Sequence, residues 1–197
     1  MGDKVVQKNI LLTGPPGCGK STIIEKIVQR INLACTGFFT RQIREKGRRV
    51  GFSIATLDGR RGIMAHINIQ SRHRVEKYGV DLQSIDMIAV PSMLAENDDV
   101  VVVVDEIGKM ECFSAMFRQA LLRVLDSPNT VVGSIALKGD AFINAIKKRP
   151  DTCLIPVSEK NRDVLAEEVL SSAKQEVRSS NQTAPGAEKG GPSLRHL

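Results

Sequence analysis

Residues 9–31 read NILLTGPPGCGKSTIIEKIVQRI, and the eight from Gly14 to Ser21, GPPGCGKS, decide how the rest of the chain is read. The apolar run before them has the character of a strand. After them Ile and Val recur at helical spacing. Three glycines and two prolines between a strand and a helix make a tight loop, and the pattern G-x-x-x-x-G-K-[ST] is complete through Gly14, Gly19, Lys20 and Ser21. Glycines let successive backbone N–H groups turn inward around an anion, and the helix start adds its partial positive charge. The loop from Gly14 through Pro15, Pro16, Gly17, Cys18, Gly19, Lys20 and Ser21 to Thr22 is thus a candidate phosphate cradle. Lys20 is expected to reach the β- and γ-phosphates and Ser21 to ligate Mg²⁺. The two prolines stiffen the loop, so that less entropy is lost on ordering.

Working outward, DDVVVVVDEIGKME has five consecutive valines, a strand buried on both faces that ends on Asp105 and Glu106. In open α/β sheets ligands gather at the carboxyl ends of the strands, where this acid pair and the loop after Thr13 both fall. Asp105 is the expected second metal residue, through a metal-bound water. Glu106 is placed to orient or activate a water for attack on the γ-phosphate. Lys109 and Glu111 share the loop, and either could orient the two acids.

The remaining segments alternate. SAMFRQALLRVLDS, DAFINAIKKR and RDVLAEEVLSSAKQEV carry helical periodicity, while TVVGSIAL and TCLIPVS read as buried strands. Runs around Gly37–Ile43 and Val50–Leu57 flank a charged turn at Gly47 and predict an antiparallel hairpin. RRGIMAHINI adds a further short strand. The segment from Tyr78 to Asn97 reads as a loop leading into a helix capped by Asp81 or Ser84. The expected fold is a three-layer α/β domain with a mainly parallel central sheet and an added antiparallel hairpin. With 197 residues and 42% hydrophobic content the chain fits one domain, over 1–177, followed by a disordered Ser-, Gly- and Pro-rich tail over 178–197.

No run approaches membrane-spanning length, and no leader is read at residues 1–9. A cytoplasmic, monomeric protein is expected. Cys18, Cys35, Cys112 and Cys153 are scattered, without C-x-x-C or nearby histidine spacing, which speaks for reduced thiols over zinc or a disulfide framework. The net charge of +6 concentrates between Arg41 and Lys77. With only 4% aromatic residues the stretch lacks stacking platforms for bases, so a rim that draws in nucleotides is preferred to nucleic-acid binding. His66 and His73 are read as ordinary residues. An arginine finger is expected for phosphoryl transfer to water. Arg44, Arg48, Arg49, Arg60, Arg61 and Arg162 are candidates, Arg162 foremost because it follows a strand that ends at the same sheet edge as the loop.

Four segments, LLTGPPGCGKST, GFFTRQIREKGRRVGFSIATLDG, VVVVDEIGKMECFSAMF and SEKNR, together resemble the THEP1 family of nucleoside-triphosphatases, in order from about Asn9 to Arg162. The resemblance implies a P-loop fold of the RecA-like group and Mg²⁺-dependent hydrolysis of ATP, GTP and other nucleoside triphosphates to the diphosphate and phosphate. It implies that Asp105 and Glu106, with Ile107 and Gly108 beside them, face the nucleotide, and that Asn161 and Arg162 form a second contact to it. Arg41 and Gln42 depart from the pattern, standing where an acid is expected. A phosphotransferase on the same loop and a nucleotide-gated RNA switch are the alternatives.

Overall fold

The computed structural model describes residues 7–183. Nine strands form one mixed sheet: β1 (Asn9–Gly14), β2 (Cys35–Glu45), β3 (Arg48–Thr56), β4 (Arg61–His66), β5 (Arg74–Val75), β6 (Tyr78–Val80), β7 (Val101–Ile107), β8 (Val131–Ala136) and β9 (Thr152–Pro156), in the spatial order β5-β6-β4-β3-β2-β7-β8-β1-β9. The half from β2 to β9 is parallel. The half from β2 to β5 is an antiparallel meander, so the predicted hairpin is its first turn. Tyr78–Val80, read from sequence as loop, is a strand because it pairs with β4 at Ala65 and His66.

The helices are α1 (Lys20–Arg30), α2 (Leu82–Ser84), α3 (Val90–Met93), α4 (Ala115–Asp126), α5 (Ala141–Lys147) and α6 (Arg162–Thr183), with a π-turn at Ile85–Ala89 joining α2 to α3. Asp81 caps α2 by accepting from the Gln83 N–H at 3.0 Å. Helix α6 continues into the stretch expected to be tail. Arg and Gln favour helix and Ser, Asn and Thr tolerate it, and the first proline after Arg162 is Pro185. The rest of that expected tail, 184–197, lies outside the described residues.

Strand alternation sorts the core into two layers. Val102 and Val104 of β7 face Leu11, Phe38, Ile54, Phe117, Leu121 and Ile135 under α4. Val101 and Val103 face Ile10, Leu12, Ile24, Ile27, Leu165 and Val169 under α1 and α6. A five-valine run is the sequence consequence of a strand covered on both sides. All four cysteines are free. Among the described residues no helix is long and apolar enough to cross a membrane.

Phe117 is fully buried and meets Phe38 edge to face at 6.2 Å. Phe117→Ala should lower the unfolding free energy by about 3–5 kcal/mol in a denaturant titration. A loss under about 1 kcal/mol would show that α4 does not seal this layer.

Candidate active site

The phosphate-loop segment leaves β1 at Gly14 and enters α1 at Lys20. Gly17 and Gly19 have φ of 79° and 109°, values that residues with a side chain rarely adopt. Gly19 is the N-cap of α1 and no side chain caps it, nor is there an acid in the first turn. The first N–H groups of the helix therefore remain available to an anion, which an ordinary capped turn would have occupied. Gly14 is needed for a different reason. A Cβ there would lie 2.5 Å from the Val157 carbonyl oxygen and 2.9 Å from Cys18 Sγ.

Lys20 is buried, and its ammonium donates to the Gly14 and Pro15 carbonyls at 3.0 and 3.1 Å. It is held folded back over the loop by bonds that a phosphate could replace.

At the end of β7, Asp105 is only 1% exposed. One carboxyl oxygen accepts from Ser134 Oγ of β8, and Oδ2 has no partner among the described residues. Burial raises its pKa, against the lowering pull of the Ser134 and Ser21 hydroxyls and of the Arg41 and Lys20 charges. Ser21 and Asp105 thus share one location although 84 positions separate them in the chain. The Asp105–Glu106 peptide is cis. Glu106 is also lifted by burial, drawn down by Lys20 and pushed up again by Asp105.

Glu111 supplies a third carboxyl. It is 3% exposed, and burial together with repulsion from Glu106 pushes its pKa up to about 8. Thr40 Oγ1 of β2 donates to Glu111 Oε1 at 3.4 Å. Gly108 lets the two glutamates crowd together, since a Cβ there would be 2.7 Å from Glu111 Oε2 and 3.1 Å from Glu106 Oε1.

One cavity of about 500 Å³ gathers these groups. Pro16, Gly17, Gly19, Lys20, Ser21, Thr22, Asp105, Glu106 and Gly108 line it, with Lys109 and Glu111. Lys20 and Asp105 therefore open onto the same space. Other expected site residues lie elsewhere. Ile107 is fully buried in the α4 layer with Val102 and Val104, because the β7–β8 register shifts between Val104 and Ile107 and breaks the alternation, and Cys18 packs into the α1 layer. Pro15, Asn161 and Arg162 do not line the cavity. Arg162 opens α6 with its side chain against the loop, Cδ being 3.5 Å from where a Gly19 Cβ would stand. Asn161 accepts from Ser158 N and donates to the Pro156 carbonyl, at 2.8 and 2.9 Å, so its polar atoms organise the β9–α6 turn.

Several features were not read from sequence. Arg41, expected as a departure from the family pattern and as the start of a basic rim, reaches across to α1, ion-pairing Glu25 at 2.7 Å, and its charge acts on Asp105. Gln42, Arg49 and Phe52 of the meander also line the cavity. Their alternation on β2 and β3 was visible, but the layer it faces was not.

The raised pKa of Glu111 carries a sign. A carboxyl that titrates near 8 in the folded chain and near its ordinary 4.5 when unfolded favours the fold in its neutral form. That contribution is complete below about pH 4.5 and is lost as pH rises through about 8, at no more than about 1.4 kcal/mol per pH unit. Glu111→Gln should therefore flatten the wild-type decline in stability across this window and be the more stable protein at pH 8.5. Parallel stability–pH curves for the two proteins would place the Glu111 charge in water.

Comparison with known proteins identifies the family and the fold. A family model described as NTPase (NTPase_1) matches residues 9–170. The nucleoside-triphosphatase THEP1 of Thermotoga sp. (strain RQ2) is 42% identical over 166 residues, which cover 84% of this chain and 95% of that protein. The crystal structure of THEP1 from Aquifex aeolicus superposes with a TM-score of 0.76 at 34% identity, covering 83% of this chain and 97% of that one. The solution structure of a human cancer-related nucleoside triphosphatase gives 0.73 at 33%, covering 85% and 97%. With the family model matched over residues 9–170 and a 42% identical relative covered over 95% of its length, the chain belongs to the NTPase (NTPase_1) family.

Proposed function

We propose that the protein is a Mg²⁺-dependent nucleoside-triphosphatase that hydrolyses ATP, GTP and other nucleoside triphosphates to the diphosphate and phosphate. The observation that carries this reading is the meeting of Ser21 with a buried Asp105 whose Oδ2 has no partner, beside the uncapped start of α1. Hard oxygen donors with an open valence suit Mg²⁺. Ser21 would hold the ion directly and Asp105 through a water, and the ion would supply charge neutralisation at the β- and γ-phosphates.

The chain's own residues do the rest. Loop N–H groups and Lys20 bind the phosphates, the ammonium exchanging its carbonyl partners for phosphate oxygens. Glu106 orients a water and accepts its proton at the carboxylate as the water oxygen bonds to the γ-phosphorus. The bond from that phosphorus to the bridging oxygen breaks, and the electron pair leaves with the diphosphate. Arg162, packed on Gly19, is the arginine assigned to the charge that develops on the transferring group. Together with Asn161 it is also assigned the second contact to the nucleotide.

The partners in this reading are nucleoside triphosphates, and neither nucleic acid nor membrane. Much of the basic stretch is engaged within the chain. Arg41 pairs with Glu25, Arg60 with Asp58, and Arg74 donates to the Lys77 carbonyl. A monomeric, cytoplasmic enzyme completes the proposal, in keeping with four free thiols.

Purified protein with Mg²⁺ and ATP or GTP should release phosphate with no added acceptor, and chelation should stop it. Glu106→Gln should lower kcat by about 10²- to 10⁴-fold with nucleotide affinity nearly unchanged. Normal turnover by this variant would remove Glu106 from the chemistry.

A further inference from the structure

The cavity does not stop where a hydrolase would need it to. Beyond Glu106 and Glu111 it continues across β2 onto the meander, where Thr40, Gln42, Arg49, Phe52, Met64 and Tyr78 line it. The whole space of about 500 Å³, of which the phosphate-loop end takes the triphosphate, lies in the range of small-molecule sites.

The position of this extension relative to the reaction follows from the sheet order. Strand β1 carries the phosphate loop, with β9 on one flank and β8, β7, β2 and β3 in sequence on the other. On the β9 flank the Arg162 side chain lies against the loop at Gly19. In phosphoryl transfer the entering and leaving oxygens lie roughly in line. With the leaving diphosphate on the loop, the entering group comes from the Glu106 side, which is the side of the extension. The space therefore lies where a nucleophile arrives.

Its walls favour one kind of occupant. Gln42 and Phe52 are register partners across β2 and β3, on the face that carries Phe38 and Ile54. Phe52 is half-buried and meets the buried Tyr78 edge to face at 5.3 Å, and Met64 is buried in the same layer. Arg49 forms the lip, with its guanidinium 5.1 Å from the Phe52 ring centre and its Nε donating to the Tyr78 hydroxyl at 3.0 Å. Tyr78 and Met64, 2% and 1% exposed, back this wall from beneath, and the half-buried Phe52 with the Arg49 guanidinium is the surface that suits a flat ring. Thr40 and Gln42 add hydrogen-bonding groups between that surface and the carboxylates.

We propose that this extension is an acceptor subsite for a nucleoside-class alcohol, a planar base joined to a hydroxyl-bearing sugar, and that the γ-phosphoryl group can pass to that hydroxyl instead of to water. The proposal rests on the phosphate loop and on Glu106 as assigned above. The acceptor oxygen bonds to the γ-phosphorus and its proton goes to the Glu106 carboxylate. The bond to the bridging oxygen breaks, and the electron pair leaves on the nucleoside diphosphate. Hydrolysis is then the reaction of the same site when water occupies the acceptor position.

The test uses the full chain with Mg²⁺ and γ-labelled ATP, alone and with saturating adenosine, guanosine, cytidine or uridine, and follows the label. Labelled nucleoside monophosphate should appear with at least one of them, and ADP formation should accelerate. Phe52→Ala and the surface variant Gln42→Leu should each raise the acceptor KM by about tenfold, with the KM for ATP within about twofold of wild type. Label found only in inorganic phosphate, with ADP formation unmoved by all four nucleosides, would overturn the subsite while leaving the hydrolase reading intact. Absence of both phosphate release and ATP binding would overturn both. Gln42→Leu keeps the proposal exposed to refutation if Phe52→Ala does not fold.

Discussion

The carboxyl ends of β1 and β7 are held two strands apart in one parallel sheet, with β8 between them, pairing β1 in continuous register and β7 with a shift between Val104 and Ile107. That spacing is set by backbone hydrogen bonds and by two apolar layers, not by the polar groups it brings together. It sets Lys20 and Ser21 at the start of α1 beside Asp105 at the end of β7. The result would be unfavourable in isolation. Asp105, Glu106 and Glu111 are three carboxyls crowded into one poorly solvated corner, and all three are shifted toward their neutral forms. Lys20 and Arg41 offset the field at Asp105 only in part. The proposed Mg²⁺ would offset the rest of that field.

The loop and the strand that carries the acids were legible because each is a short-range pattern. Glycine spacing around Lys20 reports a backbone that must turn inward, and the valine run reports a strand with two covered faces. The pairing of the two segments followed from a general rule about strand ends. What was not legible depends on register across distant strands. Tyr78 gives no local sign that it will pair with β4 and close over Phe52. The depth of Glu111 comes from a turn that folds back under Gly108, with Thr40 arriving from β2. Ile107 turns into the α4 layer because the pairing of β7 with β8 shifts by a residue after Val104, although its neighbours face the cavity. Helix α6 runs on to Thr183, past the point where loss of apolar residues suggests a break, because a helix stops where its backbone can no longer continue.

The antiparallel meander alters the meaning of the basic stretch. Spread along the sequence, ten basic residues between Arg41 and Lys77 suggest one charged surface. Folded, they divide by strand alternation and by partner. Arg41 turns to α1, while Arg49 stacks over Phe52 and Tyr78 at the cavity lip. A half-sheet of this kind, built onto a parallel core and open to its reactive edge, gives the fold room for a second molecule without changing the phosphate-binding machinery.

The most direct test of the metal-bridged site is a double-mutant cycle on Ser21→Ala and Asp105→Asn, reading the factor by which Mg²⁺ tightens the binding of a non-hydrolysable triphosphate. If both side chains hold one ion, each single variant removes most of that factor and the double variant removes little more, so the effects are strongly non-additive. Independent, additive losses, or a Mg²⁺ effect that survives in the double variant, would mean that the two strand ends do not share a metal.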